Sequence, residues 1–207
     1  MSKVETKLSK MIFWVSPSQI SYCTPSSKYT DLNQYERDRD HPHAFYDYGY
    51  FFEKERRGII LDGNWDVPQL KFTSLLEYQA LYKHIKGIER WSLSKFADRM
   101  IKYMLMTNKE SFGARYRFEG FNSPDEFIAD RERQINSLII SIKENGVLPV
   151  GGVDCKVSKL DDISLNASRT GELLFNNRGH HRLALAKILD IKLIPTQIVV
   201  WHKNNFL

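Results

Sequence analysis

One stretch near the end of the chain gathers the side chains best suited to chemistry: Leu174-Phe175-Asn176-Asn177-Arg178-Gly179-His180-His181-Arg182-Leu183-Ala184-Leu185-Ala186-Lys187. Its pattern is a strand, a glycine turn and then directly a helix. The N–H groups of a helix's first turn lack intrahelical partners and form a ready anion site. Gly179 would let the backbone approach a ligand with no Cβ in the way. Arg182 offers a bidentate fork for phosphate oxygens. His180 and His181 can each give a proton or a hydrogen bond near neutral pH, and Arg178 adds a further positive charge. So much positive character at a helix N-terminus opposes the macrodipole, and a bound phosphate would relieve that conflict. The plainer alternative stays open, because glycine at a turn and basic residues on a helix are common. On that view Leu185, Ile188 and Leu189 are a core face, and Lys187 is a solvated charge.

Other residues could complete such a site. Asp62 and Asp66, with Glu53, lie near a predicted strand at Gly58–Asn64. Either aspartate would act as base or metal ligand if that strand ran beside the turn, although an aspartate next to Gly63 is also an ordinary turn residue. Trp65 could stack on a base or simply fill core. Asp38, Asp40, His41, His43 and Asp47 bring carboxylates and imidazoles together, but Pro42 marks a loop and the spacing supplies too few ligands for a metal to be assigned. Arg131 and Arg133 are two apart on a helix and diverge; with Arg115 and Arg117 they read as a solvated face. There is no GxSxG elbow, Walker loop or GxGxxG.

These groups need elements to hold them. Residues 1–57 are irregular, punctuated by Pro17, Pro25 and Pro42, yet rich in aromatics between Tyr29 and Arg57, which suggests an extension packed on the core. Ser74 with Glu77 has capping-box spacing. The helix after it would bury Leu75, Leu76, Tyr78, Leu81, Tyr82 and Ile85 and stop at Gly87. Ser92 starts a second helix, burying Phe96, Met100, Ile101, Met104 and Leu105. Ser123-Pro124-Asp125-Glu126 opens a third, running to Glu144 and stopped by Asn145-Gly146. Val147 to Val153 and Gly171 to Phe175 read as strands. His181 to Leu189 reads as a helix, and Ile194 to Trp201 as a last strand.

The chain has 207 residues, 42% of them hydrophobic, enough for a real core. Thirty Lys and Arg against 25 Asp and Glu give +5, too little for bulk electrostatics to name a nucleic-acid partner. From Arg131 onward there are 11 basic against 7 acidic residues, a surplus of 4, so the basic balance is concentrated in the last part of the chain. Two cysteines, Cys23 and Cys155, exclude a disulfide scaffold and a four-cysteine zinc site. The longest early apolar run, Met11 to Val15, is shorter than the roughly 7–15 residues of a signal peptide. A cytoplasmic protein with no membrane partner is expected.

Over residues 131–201 the chain resembles the ParB N-terminal domain. Ser141-Ile142-Lys143-Glu144-Asn145-Gly146-Val147-Leu148-Pro149-Val150 is similar to its helix-to-strand passage. The strand Glu172 to Phe175, the turn Gly179-His180-His181-Arg182 and the closing Ile194-Pro195 follow in the same order. Sulfiredoxin and free-serine kinases share that fold and have similar turns. The resemblance implies a phosphate contact at Gly179 and Arg182, and His181 matches the histidine of the sulfiredoxin and kinase turns. His180 stands where sulfiredoxin has its catalytic cysteine, which removes that chemistry. Arg178 replaces the acid that precedes the glycine in the kinases. The ParB segment after the turn is missing, and no helix-turn-helix is expected to follow.

The expected fold is α/β (α+β), a small mixed sheet of the ParB/sulfiredoxin type. Residues 58–207 form the domain, with helices inserted at about 74–144, and residues 1–57 the extension. The expected function is binding of a nucleotide or a phosphorylated small molecule, in its sharpest form an ATP-dependent phosphotransferase. ATP or another nucleotide, with or without Mg2+, would sit on Arg178, Gly179, His180, His181 and Arg182, with Asp62, Asp66 and His180 as catalytic groups. The alternative is a non-catalytic ParB-like DNA-binding or regulatory module, so nucleic acid stays open as a partner.

Overall fold

The structure is a computed structural model that describes residues 11–24, 58–67, 70–106, 121, 123–152, 162–176 and 178–206. The strands are β1 (Phe13–Val15), β2 (Tyr22–Cys23), β3 (Ile59–Leu61), β4 (Leu70–Lys71), β5 (Ile163–Ala167), β6 (Leu173–Phe175) and β7 (Ile194–His202). The helices are α1 (Leu76–Ile85), α2 (Lys95–Met106), α3 (Pro124–Asn145) and α4 (His180–Ile188). The α/β class expected from sequence is therefore present, as a mixed sheet ordered β1-β7-β5-β6-β2-β4. β7 is parallel to β5, β6 antiparallel to β5, and β2 parallel to β6. β1 and β3 share the other edge of β7, one at each end.

β5 is the strand on which both halves of the sheet depend, and its five residues are all buried. The alternation Ile163-Ser164-Leu165-Asn166-Ala167 is a period of two. Its apolar members join Cys23, Phe175, Ile194 and Ile198 in the core shared with all four helices. Its polar members are hydrogen-bonded, as burial requires. Asn166 Nδ2 donates to Thr24 Oγ1 at 3.0 Å, and Asn176 Nδ2 donates to Asn166 Oδ1 at 3.3 Å. Sequence periodicity did not single out this strand, because two of its five residues are polar and it is flanked by polar residues.

The three inserted helices form where expected, with different starts. Ser123 caps α3 by accepting from Glu126 N–H at 3.2 Å, and Gly146 follows its last residue. α2 is capped by Ser94 rather than Ser92, through Ala97 N–H at 3.2 Å. The Ser74–Glu77 capping box does not form. Ser74 belongs to a 3-10 turn and donates to Lys71 O at 2.7 Å, the helix starts after Leu75, and Glu77 is buried. Val147 to Gly152 is not a strand either. Gly151 and Gly152 adopt φ of 117° and 89°, in the left-handed region that breaks a ladder.

Residues 11–24, expected as part of an extension, supply β1 and β2 to the sheet itself. Lys187, expected as a solvated charge, is partly buried and donates to Pro17 O at 2.6 Å, which ties α4 to this N-terminal segment. Burial raises the nearby Cys23 thiol far above its ordinary pKa, so it packs as an inert apolar group. Among the described residues no helix is long and apolar enough to cross a membrane.

Asp66 closes the end of the sheet formed by the β5–β6 hairpin. Its side chain is 1% exposed and accepts from Arg169 N–H at 2.7 Å and from Arg169 Nε–H at 3.0 Å. Removing one partner of a buried ion pair leaves an uncompensated charge. Arg169→Ala should therefore lower the unfolding free energy by about 3 kcal/mol, read from urea denaturation. A loss below about 1 kcal/mol, the level of a surface pair, would refute the latch.

Candidate functional site

The turn before α4 is seated on the first two residues of β5. Asn176 N–H donates to Ser164 O at 2.9 Å, Ser164 N–H to Arg178 O at 3.1 Å, and Arg178 N–H to Ser164 Oγ at 2.9 Å. Gly179 then presses directly against Ile163. Its φ is 73°, and a Cβ placed on it would lie 2.6 Å from Ile163 Cγ1 and 2.9 Å from Ile163 Cα. The glycine is thus required by the protein's own packing, and the sequence-based reason for it, close approach of a ligand, is not the one the geometry supplies.

The two histidines begin α4, and both turn toward α1. His180 Nε2 lies 2.8 Å and His181 Nε2 2.7 Å from the same atom, Glu77 Oε1. Glu77 stands in the first turn of α1, so two helix N-termini meet here. Their positive dipole ends would repel, and the carboxylate between them offsets this. The charge conflict that sequence assigned to a bound phosphate is met in large part by Glu77.

The rings themselves are in contact, with centroids 4.7 Å apart at 39°. Glu77 is 2% exposed, while His180 and His181 keep 22% and 20% of their side chains open. Burial by itself would raise the Glu77 pKa, but the charges of His180 and His181 outweigh it and hold the carboxyl well below its usual range. His181 moves the other way from a typical paired histidine. Burial pushes it below 6.5, Glu77 pulls it up, and His180 and Arg131 of α3 add to the fall.

The other sequence-nominated residues divide clearly. Arg178 and Arg182 are at the turn and partly buried. Asp66 is committed to Arg169 at the far end of β5, six residues from Ile163, or roughly 20 Å of extended strand. Asp62 is exposed, accepts from its neighbour Gly63 N–H at 2.8 Å and pairs with Lys203 at 3.2 Å. The expectation that either aspartate serves the turn is therefore corrected, since β3 pairs with β7 at its C-terminal end and not with the strands beside Gly179. Trp65 is buried at 8% exposure, in a small cluster with Val199 and Val200. The cluster Asp38 to Asp47, Glu53, Arg115 and Arg117 lies outside the described residues.

Glu77 is the residue that sequence reasoning missed. A glutamate in the first turn of a helix already has an ordinary explanation, and nothing local ties it to residues a hundred positions later. Its one unusual signal is that it occupies a buried position of an amphipathic helix.

Two predictions follow from this geometry. Gly179→Ala should cost about 2–4 kcal/mol, combining overpacking with a left-handed backbone; a change under about 1 kcal/mol in urea unfolding would contradict the contact with Ile163. Glu77 and His181 both bind protons less readily in the folded state than unfolded. Stability should be full above the ordinary histidine value of 6.5 and decline as pH falls below it, first through His181 and then, below 4.5, through Glu77. Melting temperature against pH checks this, and His181→Gln should flatten the segment from about pH 7 to pH 5.

Compared with family models, with curated proteins and with solved structures, the chain finds no match in any of the three.

Proposed function

We propose that the chain binds a phosphate-bearing small molecule, with a nucleotide as the first candidate, at the N-terminal turn of α4. The observation that carries this reading is the turn itself. The N-cap of α4 is Gly179, which brings no side chain of its own to the first turn. The turn is held rigid by Ser164, and Arg178 and Arg182 flank it, both partly accessible. The similarity of Gly179-His180-His181-Arg182 to the turns of ParB, sulfiredoxin and free-serine kinases supports the same ligand class.

Glu77 changes how such a ligand would be held. Its carboxylate is engaged by the two imidazoles, so an incoming phosphate would be met by the backbone dipole and the arginines. Glu77 is a poor general base, because a carboxylate held at low pKa has little drive to take a proton. Asp62 and Asp66 are elsewhere, and of the bases nominated from sequence only His180 stands at the turn. The reading is accordingly one of binding first, with phosphoryl transfer as a narrower form that would use His180. Magnesium would arrive on the nucleotide's own phosphates.

Calorimetry with ATP, ADP, CTP, GTP and pyrophosphate, with and without Mg2+, tests it. Arg182→Ala should weaken the bound ligand by about 1.5–3 kcal/mol, the range for charge-assisted hydrogen bonds. Unchanged affinity would remove that arginine from the site. No rise in melting temperature with any of these ligands at millimolar concentration would overturn the reading and favour the non-catalytic DNA-binding or regulatory module.

A further inference from the structure

We infer that Glu77, His180 and His181 form a binding site for one divalent transition-metal ion, with two imidazoles and one carboxylate as its protein ligands. The inference goes beyond the phosphate reading and does not depend on it.

Consecutive residues on a helix point about 100° apart and do not normally face one neighbour. At the start of α4 they do: both Nε2 atoms come within 2.8 Å of Glu77 Oε1. All three donor atoms lie within 4.8 Å of one another, and this is the one such group of His, Cys, Asp or Glu among the described residues. The contacts are 2.8 and 2.7 Å long, and His181 Nε2 is sealed from solvent. Three donor atoms gathered this closely, from the first turns of two helices, are what ligands sharing a cation present.

The chemistry of the donors agrees. A metal needs its carboxylate deprotonated and its imidazoles neutral. Two imidazoles with one carboxylate suit zinc, iron(II), manganese(II) or cobalt(II) rather than Mg2+ or Ca2+, which favour an all-oxygen shell. Three protein ligands leave at least one position open. Arg131 is the nearby cation that acts on His181. It opposes a bare metal and favours an anion in the open position, which sets the ligand class expected there.

The ligands are also pre-positioned. His180 and His181 follow a glycine locked against Ile163, and Glu77 sits on the first turn of a helix packed against α4. Such a site costs little rearrangement to fill.

The test uses the full chain without a polyhistidine tag, stripped with chelator and free of nucleotide. Titration with Zn2+ by calorimetry and with Co2+ by visible absorption should each show one equivalent bound, with Co2+ giving the intense bands of a low-coordinate nitrogen and oxygen site. Glu77→Gln keeps the side chain's size and should weaken Zn2+ by roughly 100-fold or more, since changes one shell further out already cost about 10–100-fold. His180→Gln should do the same, which guards against one variant failing to fold. Asp62→Asn, an exposed carboxylate outside the cluster, should bind as the parent does. Folded parent protein that binds no equivalent of Zn2+ or Co2+, or Glu77→Gln and His180→Gln proteins that both bind like the parent, would overturn the inference. Because no nucleotide is present, that failure would leave the phosphate reading to be judged by its own experiment.

Discussion

The contact between Gly179 and Ile163 is the constraint on which the site depends. It brings a helix start to the edge of the central strand at a distance that only a residue without a side chain allows. Ser164 completes the seat, exchanging hydrogen bonds with both backbone groups of Arg178 and accepting from Asn176 N–H. With the turn fixed in this way, the direction of α4 is fixed, and with it the two histidines at its first positions. A helix of nine residues would not by itself hold them there, because so short a helix is marginal without tertiary packing.

The second consequence is electrostatic. Seating α4 here brings its N-terminus against the first turn of α1, and two like dipole ends must be compensated. Glu77 does this at full burial, where a carboxylate is costly unless it is paired. The histidines are its partners. A structural role and a chemical one therefore coincide in three side chains: the same group that makes the helix junction tolerable also presents nitrogen and oxygen donors at one point. The far end of β5 repeats the logic in simpler form, with the buried Asp66 carboxylate paired to a partly exposed Arg169. That end closes the hairpin.

Much of the local structure was legible in the chain. Helices with strong apolar periodicity appeared within a few residues of their expected limits, and Ser123-Pro124 started α3 as its chemistry requires. The strand-turn-helix around Gly179 and the closing strand β7 also appeared where expected. Errors arose where a local rule had a tertiary competitor. Ser74 and Glu77 satisfy capping-box spacing, but the helix is capped at Leu75 and Glu77 turns to two histidines, so the box is not made. Lys187 has the look of a solvated charge until Pro17 O comes within reach. Short strands such as β2 and β4, two residues each, carry no periodic signal at all.

The amino-acid sequence alone determined the class of the fold, the order of its long elements and the strand-turn-helix around Gly179. These follow from local rules: apolar period, capping residues and the backbone freedom of glycine. Tertiary structure alone decided which carboxylate meets that turn. Sequence offered Asp62 and Asp66 by nearness to a predicted strand, and the sheet order placed both away from it, because β3 joined the far end of β7. Glu77 arrived instead, from a helix about a hundred residues earlier, by the packing of α1 on α4. Long-range pairings of this kind depend on summed burial across the whole sheet rather than on any local pattern, and a single chain read in order does not display them.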